Sequence, residues 1–140
     1  MSLLSVENLH LQFDTDEGRI TAVDNVSFEL NAGEVLGIVG ESGSGKSVTA
    51  KSMMQLNPSN SVYGSVSKIN LELETGIVDV LSLKKAKELQ VVRGGAISMI
   101  FQEPMASFAP AITIGNQMIE QLLLHTSKSK KEATEFSIEM

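Results

Sequence analysis

Apolar and polar residues interleave between Leu3 and Phe13, where Val6, Leu9, Leu11 and Phe13 are separated by polar positions. That alternation predicts a half-buried strand. Asp14 to Gly18 reads as a turn, Arg19 to Val23 resumes the strand pattern, and Val26 to Leu30 alternates again before the turn Asn31-Ala32-Gly33. The unbroken apolar run Val35 to Val39 predicts a strand buried on both faces. Val48 to Leu56 predicts a helix ended by Pro58, which lacks a backbone donor. Val62 to Leu73 is a second strand-rich stretch punctuated by Gly64 and Gly76. Ser82 is placed to cap a helix over Leu83 to Val92, with Gly94-Gly95 as its stop. Ala96 to Phe101 predicts another buried strand, and Met105 to Pro110 an irregular stretch. A helix is expected from Thr113 or Ile114 to about His125, and Ser127 opens a further helical segment through Glu132 and Ala133. That pattern is still helical at Met140, with no cap or glycine, which predicts that the chain is truncated there.

Between the first buried run and its helix lies Gly40-Glu41-Ser42-Gly43-Ser44-Gly45-Lys46-Ser47. Gly40, Gly45, Lys46 and Ser47 satisfy the spacing of a phosphate-binding loop, in the strand–loop–helix context that the motif requires. Each residue type has a chemical reason. Glycines let main-chain N–H groups converge on an anion without side chains in the way. The helix opening at Val48 contributes unpaired N–H groups and a positive dipole end. Lys46 brings a mobile charge to the terminal phosphates, and the Ser47 hydroxyl is a ligand for Mg²⁺ bridging two phosphate oxygens. A dinucleotide fingerprint, the competing glycine-rich pattern, has no use for an embedded Lys-Ser pair. The motif alone leaves kinase, GTPase, motor and transporter ATPase open.

Composition narrows the classes. With 140 residues, 42% of them hydrophobic, the chain can build one modest packed domain. The absence of cysteine excludes a disulfide framework and thiolate chemistry. No apolar run is long enough to span a bilayer, and Met1-Ser2-Leu3-Leu4 does not read as a signal peptide. Net charge is −6, and the basic clusters Lys84, Lys85, Lys87, Arg93 and Lys128, Lys130, Lys131 are short and mixed with acids. They read as solvated surface, not as a nucleic-acid footprint. His10 and His125 stand without a ligand cluster, and Met53, Met54, Met99, Met105 and Met118 read as flexible core fillers.

Several stretches together resemble the ATP-binding subunits of ABC transporters, nearest to the oligopeptide, dipeptide and nickel importer group. Leu4-Ser5-Val6-Glu7-Asn8-Leu9 is similar to the opening strand of that group, and Ala22-Val23-Asp24-Asn25-Val26-Ser27-Phe28 to the segment before its phosphate loop. Gly33 to Gly40 leads in and Gly45-Lys46-Ser47-Val48-Thr49 leads out in the same manner. Met99-Ile100-Phe101-Gln102-Glu103-Pro104-Met105 resembles its Q-loop region, and Ile112-Thr113-Ile114-Gly115 the entry to the next helix. The resemblance implies an α/β fold with a P-loop NTPase core and an antiparallel β subdomain, truncated before the rest of the helical subdomain and the later core strands. Residues 1–34 and 61–81 would form mainly the β subdomain, 35–57 and 96–102 the core, and 112–140 the start of the helical subdomain.

The same resemblance implies the site. Phe13 would stack on adenine; Gly40, Ser42, Gly43, Ser44, Gly45, Lys46, Ser47 and Val48 would hold the phosphates of ATP. Lys46 and Gln102 would take part in catalysis, with Ser47 and Gln102 at Mg²⁺. It implies transmembrane permease subunits and a second ATP-binding subunit as partners, a solute-binding protein as an indirect one, no nucleic acid, and a cytoplasmic, membrane-peripheral location. The family's Leu-Ser-Gly-Gly-Gln signature, Walker B Asp-Glu and switch histidine are absent after Gln102, and Ala109-Pro110 replaces the more usual Asn-Pro. Glu103 is not at the position of the family's catalytic carboxylate. The expectation is therefore weak ATP binding, no meaningful hydrolysis and poor solubility for these 140 residues. A nonhydrolytic nucleotide-binding module and, with only Arg19 and Arg93 available, another P-loop kinase are the alternatives.

Overall fold

The alternation at the N-terminus becomes β1, Ser2–Thr15, and its spacing carries a defect that shapes the sheet. The buried residues are Leu4, Val6, Leu9 and Leu11, spaced two, three and two. A strict period of two would turn Leu9 to the wrong face, so one extra residue must be absorbed. The ladder with β2, Gly18–Asn31, slips between Val6 and Leu9, and Asn8 takes a φ of +48° there. Asparagine is among the few side chains that tolerate this left-handed region. The slip is tied down on both sides: Asn8 N donates to Ser27 Oγ (2.8 Å), and Ser67 Oγ donates to Asn8 O (2.9 Å).

The computed structural model describes residues 2–103 and 108–139, which fall into two units, Met1–Ala96 and Ile97–Met140. In the first unit β3 (Ser61–Tyr63) and β4 (Lys68–Leu73) pair with the two ends of β1, and β5 (Gly76–Asp79) pairs with β4, all antiparallel. The strand order is β2-β1-β4-β5, with β3 also on β1. Ile69 and Leu71 of β4, Val23 of β2, Val80, Met54 and Val92 complete the core with the β1 residues. Fully burying each of these large side chains stabilises by about 1.5–3 kcal/mol. Two short helices follow the same chain: α1, Lys46–Ser52, and α2, Ala86–Val92. The second unit carries α3, Ile114–His125, and α4, Lys130–Glu139.

Several predicted features differ in the structure. The run Val35 to Val39 is not a strand; Val35 is 99% and Val39 96% exposed. A doubly covered strand draws its bonds from neighbours reached through long crossovers, and among the described residues no strand pairs with 35–39. Ala96 to Phe101 likewise forms no buried strand, and Ile100 is 95% exposed. The helix over Val48 to Leu56 ends early, at Ser52, well before Pro58. Gln55 adopts φ +48°, its N–H returns to Ser52 O (3.1 Å), and Leu56 N–H returns to Lys51 O (2.9 Å). This paired return is a Schellman ending, with glutamine where glycine is usual. Ser82 caps no helix: Val80–Ser82 is a 3-10 turn capped by Asp79, and Glu88 accepts from the N–H groups of Lys84 and Lys85 at the start of α2.

In the second unit Thr113 Oγ1 accepts from Asn116 N and opens α3 as predicted. The next helix is opened by Ser129, not Ser127. Ser129 N and Oγ both donate to Glu132 Oε2 (2.7 Å each), and Glu132 N donates back to Ser129 Oγ. The Ser-x-x-Glu pattern is a capping box. Met105, Ala106 and Ser107 of the expected irregular stretch, Pro104 of the Q-loop match, and Met140 lie outside the described residues.

Candidate functional site

The segment after Gly33 runs exposed to a tight loop whose glycines are required by geometry. A Cβ on Gly40 would lie 2.5 Å from Ser44 Oγ. A Cβ on Gly45 would lie 2.5 Å from the carbonyl oxygen of Ala22 on β2, and Gly45 has φ +85°. Gly45 is thus fixed twice, by its left-handed backbone and by the close approach of a strand. Thr49 N–H donates to Gly45 O (2.8 Å), so α1 starts at Lys46, within the motif. No side chain caps that helix and no acid stands in its first turn.

Lys46 folds back over the loop. Its Nζ donates to Gly40 O (2.6 Å), Glu41 O (2.6 Å) and Ser44 Oγ (3.2 Å). One ammonium, near the loop's end, therefore ties itself back to Gly40 and Glu41 at the loop's start and to Ser44. Ser42, Gly43 and Ser47 are exposed; Val48 is half-buried in the first turn of α1. Phe13, half-buried on β1, faces Ile20 of β2 and Ser61 of β3 in register. Two register pairs further on, Leu11 faces Val23, whose neighbour Ala22 touches Gly45, so one sheet carries both Phe13 and the loop's anchor. Gln102 belongs to the second unit and is exposed, on no strand. Glu103 beside it is exposed as well.

The C-terminal end of α1 is held by residues that sequence reasoning passed over. Arg93 Nε donates to Met54 O (2.8 Å) and its Nη2 to Gln55 O (2.6 Å). The Gln55 amide donates to Val80 O and to Leu83 O (3.1 Å). Asn57 Nδ2 reaches Val48 O (3.1 Å), Ser52 Oγ (2.8 Å) and Tyr63 Oη (3.1 Å). Arg93, which the sequence pattern groups with the short surface clusters of lysine, instead turns its guanidinium onto the Met54 and Gln55 carbonyls. In the second unit Gln117 holds the turn Ala109–Ile112, accepting from Ala109 N (2.9 Å) and donating to Ala109 O (3.1 Å) and Ile112 O (2.8 Å). With Pro110 inside that turn and Ile112 N–H returning to Ala109 O (3.2 Å), Gln117 serves where an asparagine cap is missing.

His10 Nδ1 lies 3.0 Å from Asp24 Oδ1, an exposed cross-strand pair, and among the described residues no group of three or more acidic, histidine or cysteine side chains is placed to hold a metal. Among the described residues no helix is long and apolar enough to cross a membrane.

Comparison with known proteins gives a consistent picture. Residues 23–140 match the ABC transporter family. The chain is 45% identical over 139 residues to the oligopeptide transport ATP-binding protein OppD of Escherichia coli (strain K12), covering 99% of this chain and 39% of that protein. It is 45% identical over 138 residues to OppD of Salmonella typhimurium, with the same coverages. It is 45% identical over 132 residues to the glutathione import ATP-binding protein GsiA of Escherichia coli (strain K12), covering 94% of this chain and 21% of that protein. The chain therefore spans well under half the length of these relatives.

Proposed function

The chain belongs to the ABC transporter family, and on that premise we propose that it is the ATP-binding part of an energy-coupling importer component whose cargo is peptides. The single observation that carries the nucleotide half is the loop itself. A Cβ on Gly40 would crowd Ser44 inside the loop, Gly45 lets the loop's end lie against β2, and Lys46 folds back over the loop onto Gly40 O and Glu41 O. A cluster of backbone amides with one ammonium is the donor set that polyphosphate needs. The peptide half is supported by the names of the relatives, an oligopeptide transport protein and a glutathione importer.

In this reading Gly40, Ser42, Gly43, Ser44, Gly45, Ser47 and Val48 line the phosphates. Lys46 turns from the carbonyls of Gly40 and Glu41 to the terminal phosphate, and Phe13 offers its ring to the base. The exposed Ser47 hydroxyl suits Mg²⁺, and the metal would supply neutralisation of phosphate charge. Permease subunits, a second ATP-binding subunit and, indirectly, a solute-binding protein would complete the machine on the cytoplasmic face of a membrane.

The family's Walker B Asp-Glu and signature do not occur between Gln102 and Met140, and on that ground these 140 residues are expected to bind ATP weakly without turning it over. Loss of catalytic groups removes turnover more than ground-state binding. Equilibrium titration with Mg·ATP, paired with an assay for released phosphate, tests this. Binding without turnover supports the proposal; hydrolysis at ordinary enzyme rates that vanishes in Lys46→Ala, or no binding at millimolar ATP, sinks it.

A further inference from the structure

We infer that Arg93 is a positioning residue for the phosphate loop, acting through the far end of α1; the inference rests on the nucleotide reading of that loop. With only seven residues, α1 is too short to hold its own direction. Isolated helices of that length are unstable in water and take their orientation from what grips their ends. At the N-terminal end the grip is Gly45 seated on Ala22 of β2. At the other end the chain leaves through a strained residue, Gln55 at φ +48°, so the last carbonyls point away from the helix ladder and need donors.

Arg93 supplies them. Its guanidinium donates two bonds, to Met54 O at 2.8 Å and Gln55 O at 2.6 Å. A planar cation with parallel donors suits adjacent carbonyls at the negative end of a helix, and a lysine could satisfy only part of that pattern. Met54 is buried in the core, so the clamp fixes α1 to the packed sheet and not to a loose loop. Arg93 is itself the residue that ends α2, held by its N–H to Leu89 O (2.8 Å). The rigid path thus runs from α2 through Arg93 to α1 and on to Lys46 and Ser47, which open that helix. Groups that bind phosphate lose effect when displaced by a fraction of an ångström, so loosening α1 at its far end degrades the cradle without touching it.

Arg93→Ala and Arg93→Lys in the full chain, measured below the unfolding transition, test this with two readouts. The first is Mg·ATP affinity by competition with a fluorescent ATP analogue; the second is amide hydrogen exchange across α1 and β1. Arg93→Ala should weaken ATP binding by about tenfold and speed exchange at Thr49 to Met53 while Leu9 and Leu11 stay protected. Arg93→Lys should recover part of both. Wild-type binding of ATP with unchanged affinity in Arg93→Ala overturns the inference and leaves the nucleotide reading standing. Faster α1 exchange in Arg93→Ala, in a chain whose wild type binds no ATP, upholds the clamp and overturns the nucleotide reading.

Discussion

The antiparallel sheet and the two apolar runs expected as buried strands, Val35 to Val39 and Ala96 to Phe101, are written in the same residues and come out opposite. Val6, Leu9, Leu11 and Ile69 are fully or nearly fully buried, whereas Val35, Val39 and Ile100 are almost fully exposed. Hydrophobicity is therefore not what separates them. β1 finds β2 through a two-residue turn, and β4 returns from far along the chain to pair with it as well (Leu4 with Leu71, Glu7 with Lys68), so β1 has a strand on each side. The run Val35 to Val39 has the content of a parallel strand, and such strands pair only across long connections. Burial requires a partner as well as an apolar side chain.

The largest expected effect breaks the comparison at its strong side. Leu9→Ala or Leu11→Ala should cost about 2–5 kcal/mol, the range for buried leucine truncation, read from urea unfolding of the sheet. Val39→Ala should stay within about 0.5 kcal/mol, as an exposed substitution does. Similar costs at both positions would show that 35–39 is packed in solution and would end the contrast.

Gly45→Ala comes next, because it sits on the border of the two regions. A side chain there meets the Ala22 carbonyl and forces a non-glycine residue to φ +85°. The backbone cost alone is about 1–2 kcal/mol. The expected outcome is a destabilised first unit together with weakened ATP binding, measured on one sample by unfolding and by titration.

Acid should sharpen the comparison inside the helices. Backbone bonds from Lys85 and then Lys84 hold the Glu88 carboxyl below the usual glutamate range, and the Ser129 hydroxyl and N–H do the same for Glu132. For both groups the unfolded form binds the proton more readily, so stability rises with pH. The contribution is fully present above the ordinary value of about 4.3 and is lost as pH falls through the lowered folded values. Helix starts at α2 and α4 should loosen over that acid window, seen as amide shifts of Lys84, Lys85 and Ser129. Glu88→Gln should remove the response at α2 alone; a response unchanged in that variant would assign it to other groups.

The smallest effect belongs to the left-handed asparagines. Asn25, exposed at φ +54°, should accept Asn25→Gly with a change of about 0.5–1 kcal/mol or less, toward greater stability if relief of backbone strain outweighs added unfolded freedom. A loss well above that range would mean the Asn25 side chain supports the β1–β2 ladder.

Much of this was legible in the residues. Period-two runs located β1, β2 and β4; Thr113 marked the start of α3; Gly94-Gly95 marked the end of α2. Phosphate-loop spacing found the glycines that the structure requires by contact, Gly40 and Gly45. What was not legible depends on partners. No local pattern says whether Val35 to Val39 has a neighbour. Nor does one announce that Gln55 will take a glycine's conformation, because its compensation comes from Val80, Leu83 and Arg93, all 25 or more positions along the chain. The one-residue slip at Asn8 is present in the three-residue spacing of Val6 and Leu9, but only the ladder with β2 fixes where the extra residue goes.

The most direct test is an amide-resolved NMR titration of the chain with Mg·ATP. The account predicts shifts concentrated at Gly40 to Val48, with a smaller response at Phe13, and their loss in Lys46→Ala. Shifts centred elsewhere, or the same shifts in Lys46→Ala, would contradict it.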